Sequence, residues 1–209
     1  MELKNLSVTE FAAITASDAP APGGGSVSAL AGSIAAALGE MVARLTVGRE
    51  KYAASEAEMQ KIIEAFPSVR EKLMNAVDED SKAFDQYMAA LAMPKATDEE
   101  KAARSSAMQE GLKAAARVPL GVASAIDTLF PLLEKAVTIG NPNAVTDGMV
   151  GTMMARTGIM GALFNVRVNL ESIKDETFVA ELSTETDKLQ KSALEWEQKI
   201  LSQVKLART

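Results

Sequence analysis

Apolar residues recur every three to four positions over most of this 209-residue chain, and no stretch alternates with period two long enough for a strand. SVTEFAAITA opens on a capping box, Ser7 with Glu10 three residues on. A Pro/Gly segment ends that helix, and a second is predicted from Ser26 to about Val47. A long helical region follows from about Ser55 to Met93, with Pro67 as a bend or break. Thr97 caps the next helix, whose first turn is acidic, and Pro119 and Pro131 divide the region after it. GNPNAVTDG reads as a turn cluster, Val145 or Thr146 starts a helix to about Ser172, and KDETF is a loop. The last helix runs to the C-terminus. The pattern predicts an all-α fold, a helical bundle in one domain spanning residues 1–209, without repeat or linker.

Composition narrows the chemistry. Hydrophobic residues make up 47% but aromatics only 4%, so the core should be built from small and flexible side chains. A net charge of −6 argues against nucleic acid as a partner. The absence of Cys excludes disulfides and thiolate metal sites and fits a reducing compartment. The absence of His excludes Ser-His-Asp triads, histidine zinc sites and histidine proton shuttles. No metal site is expected. The longest uncharged run, Ala19 to Gly39, is broken by Pro20, Pro22 and three glycines, and its remainder is too short to span a bilayer. MELKNLSVTEF holds acids and no apolar targeting core, so a soluble cytoplasmic protein is expected.

Three places hold candidate chemistry. Gly23, Gly24 and Gly25 stand just before a helix, where free N–H groups favour an anion and a missing side chain lets another group come close. Taken alone, the run reads first as a tight turn that lets two helices pack closely. The helix that follows carries Ala29, Gly32, Ala36 and Gly39 on a small-residue face, suited to close packing or a dimer seam. Glu40, Arg44 and Lys51 share a face if helix continues that far: either a solvated surface or a cationic contact for an anionic ligand. Leu73, Val77, Asp80, Phe84, Tyr87 and Leu91 form one helical stripe in which Asp80 is the only polar member. A carboxylate there is either a buried ion pair or a general acid/base in a cleft. Asp78, off the stripe, is placed to pair with Lys82 at the surface. Asn141, Asn143 and Asp147 lie in or beside the turn cluster, where structural roles are common. Asn165 and Asn169 lie one turn apart beside Gly158 and Gly161, able to meet a polar heterocycle or to tie helices together.

Read in order, the Pro/Gly turn with its helix, LTVGREKY, DEDSKAFDQYMAALAMPKAT, GNPNAVTD and NVRVNL resemble the formiminotransferase-cyclodeaminase C-terminal domain family over nearly the whole chain. The family includes cyclodeaminases and free-standing methenyltetrahydrofolate cyclohydrolases; the chain resembles the free-standing cyclodeaminase-like unit. The resemblance implies long antiparallel helices, a homodimer, and a tetrahydrofolate one-carbon adduct as substrate with no prosthetic group. It implies Asp80 as the catalytic carboxylate, and Gly23, Gly24, Gly25, Arg44, Lys51, Tyr52, Asp147 and Asn165 as substrate-binding residues. Arg44, Lys51 or the helix start beside the glycines would receive the anionic folate tail. Cyclodeaminase and cyclohydrolase activities both fit these residues, and a helical module without catalysis is the third reading.

Overall fold

The computed structural model describes residues 2–207. Its α-helices are α1 (Val8–Thr15), α2 (Gly24–Arg44), α3 (Glu56–Leu91), α4 (Asp98–Asp127), α5 (Phe130–Ile139), α6 (Val145–Leu170) and α7 (Glu176–Ser202), with no strand among the described residues. Short 3-10 turns flank them, notably at Glu50–Ser55 before α3.

Local chemistry sets the helix starts. The predicted capping box of Ser7 with Glu10 forms, Thr97 caps α4 as expected and makes a second box with Glu100, and the Asp175 carboxylate accepts the Phe178 N–H at 3.1 Å to start α7. Several boundaries differ from the sequence expectation; among them, α7 starts at Glu176, inside the KDETF segment expected to be a loop, and ends at Ser202. Helix α2 begins at Gly24, so two of the three glycines lie inside its first turn, and it ends at Arg44, followed by a turn with Gly48 at φ +74°. Arg44 and Lys51 therefore share no helix. Helix α3 runs unbroken through Pro67, because Met59, Ile62 and Phe66 before it and Leu73 and Val77 after it are buried in one core. Pro119 likewise lies inside α4, between buried Ala116 and Val122, whereas Pro131 does divide the chain, at the start of α5. Tertiary packing outweighs the one lost hydrogen bond at each internal proline.

The long helices pack antiparallel. Ser26 meets Val77 and Ser33 meets Arg70, so α2 and α3 run in opposite directions. Arg156 pairs with Glu197 and Arg167 with Asp187, which sets α6 against α7 in the same way. Helix α2 sits between α3 and α6, with α4 across both of those and α7 over α6. This central position demands small residues. A methyl at Gly32 would overlap the Ile126 side chain and reach 3.2 Å from Leu73. A larger core around Phe66, Ile126, Phe130 and Leu133 is joined by a smaller one of Leu112, Val166, Leu170 and Phe178, at the end where α6 finishes.

By length and composition, α2 and the stretch 98–139 are long and apolar enough to cross a membrane, contrary to the estimate made from the run ending at Gly39. In the fold, 67% of the most apolar window of α2 is buried against neighbouring helices, as expected of the core helix of a bundle.

Two glycines should respond oppositely to substitution. Gly32→Val should destabilise the fold by about 1–3 kcal/mol through overpacking. Gly121→Ala, in α4 with nothing within 4 Å of the new methyl, should be neutral or stabilising by up to about 1 kcal/mol. Urea midpoints of the two variants measure this.

Candidate active site

Asp80 lies on α3 where the helix leaves the core. Before it, Leu73 and Val77 are buried; after it, Phe84 is 38% exposed. The apolar stripe thus passes from core to pocket at the carboxylate. Opposite stands the first turn of α2. Gly25 is there because nothing larger fits: a methyl at that position would overlap the Asp80 carboxylate. The backbone N–H and hydroxyl of Ser26 both reach the carboxylate, the hydroxyl at 3.3 Å from Oδ2. The anion at this helix N-terminus is therefore the protein's own, and a folate tail does not find the Ser26 N–H vacant.

Two influences on Asp80 oppose each other. Burial disfavours its charged form, and the Ser26 donors favour it; burial is the larger, so the pKa is raised above the usual carboxylate value. The Ser26 hydroxyl has one proton, shared between the Val77 carbonyl at 2.9 Å and Asp80 Oδ2 at 3.3 Å.

A pocket of about 310 Å³ surrounds the carboxylate, lined by Pro20 and Ala21 of the incoming arm, Gly23 to Gly25, Ser81, Phe84, Ala115, Asn165, Val168 and Asn169. The Asn165 amide donates to the Gly161 carbonyl at 2.9 Å; that of Asn169 donates to the carbonyls of Asn165 and Ala115 at 2.7 and 3.2 Å. Carbonyls only accept, so each NH₂ faces the backbone and each Oδ1 is the open acceptor. Among the described residues no cationic side chain lines the pocket. An acceptor-rich, partly apolar cavity of this size suits a flat heterocycle bearing N–H groups or delocalised positive charge.

The structure thus brings together Gly23, Gly24, Gly25, Asp80 and Asn165. Arg44, Lys51, Tyr52 and Asp147 gather at the other end of α2, roughly 30 Å away along its axis. There Arg44 pairs with buried Glu40 at 2.7 Å, and Lys51 lies over the Tyr52 ring at 5.4 Å. The Tyr52 hydroxyl donates to Asn141 Oδ1 at 2.9 Å, Asn141 ties itself to Thr46 and Leu45, and Asp147 sits in the first turn of α6. The expected Asp78–Lys82 surface pair is absent. Asp78 is buried and accepts the Leu3 N–H at 2.6 Å, because the N-terminal segment lies across α3 at that point. Sequence reasoning missed Ser26 and Ser81; a serine directly after the glycine run, at the third helical position, was the available signal for the first. Among the described residues no three His, Cys, Asp or Glu side chains group to hold a metal ion.

Together the bundle and its pocket define an all-helical protein with a single carboxylate set against a glycine-rich helix start. The chain belongs to the formiminotransferase-cyclodeaminase family, whose model matches residues 7–188. It is 37% identical over 201 residues to a methenyltetrahydrofolate cyclohydrolase of Methylorubrum extorquens, covering 96% of this chain and 97% of that protein. It is 39% identical over 162 residues to the formimidoyltransferase-cyclodeaminase of Sus scrofa, covering 78% of this chain but 30% of that longer protein. The crystal structure of formiminotetrahydrofolate cyclodeaminase from Thermotoga maritima superposes with a TM-score of 0.86 at 32% identity, covering 97% of each chain.

A carboxylate with a raised pKa costs stability when ionised. That cost is absent below the unfolded-state pKa and is complete once pH has risen through the folded-state value. Asp80→Asn should therefore melt at or above the wild-type temperature at pH 7, and the difference should shrink at acidic pH; thermal melts across pH measure it. Gly25→Ala should displace the carboxylate, lowering stability by about 1–3 kcal/mol.

Proposed function

We propose that the chain is a folate one-carbon enzyme, a formimidoyltetrahydrofolate cyclodeaminase, working as a cytoplasmic homodimer without prosthetic group. The observation that carries this reading is Asp80, a partly buried carboxylate with an elevated pKa in a pocket otherwise free of charged side chains. The family relationship supplies the substrate class.

In this reaction N10 of tetrahydrofolate attacks the N5-formimino carbon, giving a tetrahedral adduct with an amino group. The proton on N10 must leave and the amino nitrogen must gain one. Asp80 takes the first and returns it to the second, so ammonia departs and the methenyl bridge forms with no net proton change. A group that is neither a strong acid nor firmly ionised suits both halves of such a relay. The positive charge delocalised over N5, the one-carbon unit and N10 lies against Asp80 and the open amide oxygens of Asn165 and Asn169. The Gly23–Gly25 turn sets the carboxylate in place and brings backbone close to the ligand.

The near full-length likeness to a cyclohydrolase supports a second reading at the same site. Water attacks the methenyl carbon and Asp80 accepts one of its protons and passes it to N5; the N5–carbon bond then breaks as the hydroxyl of the adduct collapses to the formyl C=O, leaving 10-formyltetrahydrofolate and one proton released to solvent. The two readings share the methenyl species and separate by assay.

Purified protein given 5-formimino-tetrahydrofolate should generate the methenyl chromophore with release of ammonia. Enzyme-dependent loss of that chromophore from methenyl substrate alone would favour the hydrolase. Asp80→Asn should lose about 10²- to 10⁴-fold in kcat while remaining folded. Because the ionised form starts the relay, wild-type kcat/KM should fall toward acid with a midpoint above about 4, the ordinary aspartate value. Acceleration of neither reaction by the wild-type protein would remove the proposal.

A further inference from the structure

A hydroxyl inside a helix commonly spends its proton on the carbonyl one turn back. Ser28, Ser124, Thr138, Thr152 and Thr184 all do so here, at 2.6 to 3.0 Å. Ser81 does not. The carbonyl four residues before it, that of Val77, accepts the Ser26 hydroxyl at 2.9 Å instead. Among the described residues the hydroxyl of Ser81 has one polar contact, with Ser26, Oγ to Oγ at 3.4 Å. The Ser26 proton already serves Val77 and Asp80, so Ser81 is the donor in that contact. Its lone pairs are left to the Asp80 pocket, which Ser81 lines. A half-buried acceptor in the pocket wall is therefore unused by the fold.

One atom fixes the place of that acceptor and of the carboxylate together. Asp80 Oδ2 and Ser81 Oγ lie 3.3 and 3.4 Å from Ser26 Oγ, so a single small group can reach both at hydrogen-bonding distance. The amide oxygens of Asn165 and Asn169 belong to α6, whereas this pair of oxygens belongs to α3. Both candidate reactions exchange one small group at the one-carbon centre, an amino group that leaves or a water that enters. Each has hydrogens to donate and a lone pair that must be aimed, at a proton in the first case and at carbon in the second. A seat for it needs an acceptor that stays neutral beside a carboxylate that titrates. A second carboxylate would compete for the relayed proton; a serine hydroxyl does not.

We propose, on the basis of the folate reading, that Ser81 is a second catalytic residue: its hydroxyl oxygen seats the small group exchanged at the one-carbon centre and holds it against Asp80. In the deaminase reaction the N10–carbon bond forms first, and the amino nitrogen of the adduct donates one N–H to Ser81 Oγ. That bond turns the nitrogen lone pair toward Asp80, which carries the proton taken from N10. Transfer of this proton and cleavage of the carbon–nitrogen bond release ammonia. In the hydrolase reaction water takes the same place. It donates one hydrogen to Ser81 and gives the other to Asp80 as its oxygen bonds to the methenyl carbon. Asp80 passes that proton to N5, the N5–carbon bond breaks, and the proton of the new hydroxyl goes to solvent as the formyl C=O forms. Ser81 keeps its own proton in both cases, so the balance of the relay through Asp80 is unchanged.

The reverse of the deaminase reaction isolates the seat, because ammonia then enters as a separate substrate. Given methenyltetrahydrofolate and an ammonium salt, the wild-type protein should consume the chromophore at a rate that rises with ammonium. Ser81→Ala should lower the forward kcat and the slope of that rise each by about 10-fold, the worth of one hydrogen bond. The KM for the folate substrate should change by less than about 2-fold, since the hydroxyl holds the exchanged group and not the folate. In a wild type that only hydrolyses, the same fall should appear in loss of the chromophore to water. Ser81→Thr, which keeps the hydroxyl, should retain most of the rate, and Ser81→Val, of the same shape without it, should not; this pair decides the matter if Ser81→Ala fails to fold. Wild-type kcat in a folded Ser81→Ala, a loss confined to the folate KM, or equal rates for the Thr and Val variants would each overturn the role of Ser81 and leave the folate reading standing. A wild type that accelerates neither reaction would overturn the folate reading and the seat with it.

Discussion

The functional end of this molecule depends on one close approach: the carboxylate of Asp80 against the backbone of Gly25. It ties α3 to α2 at the only place where a polar side chain replaces an apolar one on the packed stripe. The contact leaves no room for a Cβ, so the carboxylate and the glycine are a single requirement. Around it the other parts have defined tasks. Ser26 supplies donors to the carboxylate and bonds the Val77 carbonyl. Asn165 and Asn169 spend their amide hydrogens on helix carbonyls and present oxygens. The result is a carboxylate held in position by geometry, with a pKa governed by burial and not by a salt bridge.

The same helix that offers its N-terminus to Asp80 also governs the packing of the bundle. Helix α2 lies between α3 and α6, and its alanines, serines and glycines let larger residues of its neighbours, Phe66, Ile126 and Leu133, close over it. Its inner faces are therefore small and its outer face apolar. This explains why α2 meets the length and hydropathy of a membrane span while most of its apolar window is inside the protein. Hydrophobicity all round the helix reflects neighbours on several sides.

Much of this was legible in the sequence, and the parts that were not share a physical reason. Periodicity identified the helices because apolar faces repeat, and the capping boxes at Ser7 and Thr97 are local motifs that need no tertiary context. Asp80 stood out because a carboxylate broke an apolar stripe. Pro67 and Pro119 misled because a local rule was overruled by cores on both sides of each proline. Asp78 misled in the opposite sense: helical spacing offered Lys82, whereas the N-terminal segment, 75 residues away in sequence, supplied the partner. Arg44, Lys51, Tyr52 and Asp147 were grouped with the glycine turn by the motif pattern, which does not encode that α2 holds them apart. Spacing along a helix is readable; the folding back of distant segments is not.

The acceptor-rich lining of the pocket has a consequence for turnover. In the deaminase reaction the ligand carries its delocalised positive charge before and after ammonia leaves, so Asp80 and the amide oxygens hold product about as they hold substrate. In the hydrolase reaction the charge disappears when the ring opens, and the same groups lose their hold at that moment. One pocket would thus retain its product in the first case and expel it in the second. A deaminase built on this site would need the product drawn away by another step, whereas a hydrolase would clear itself.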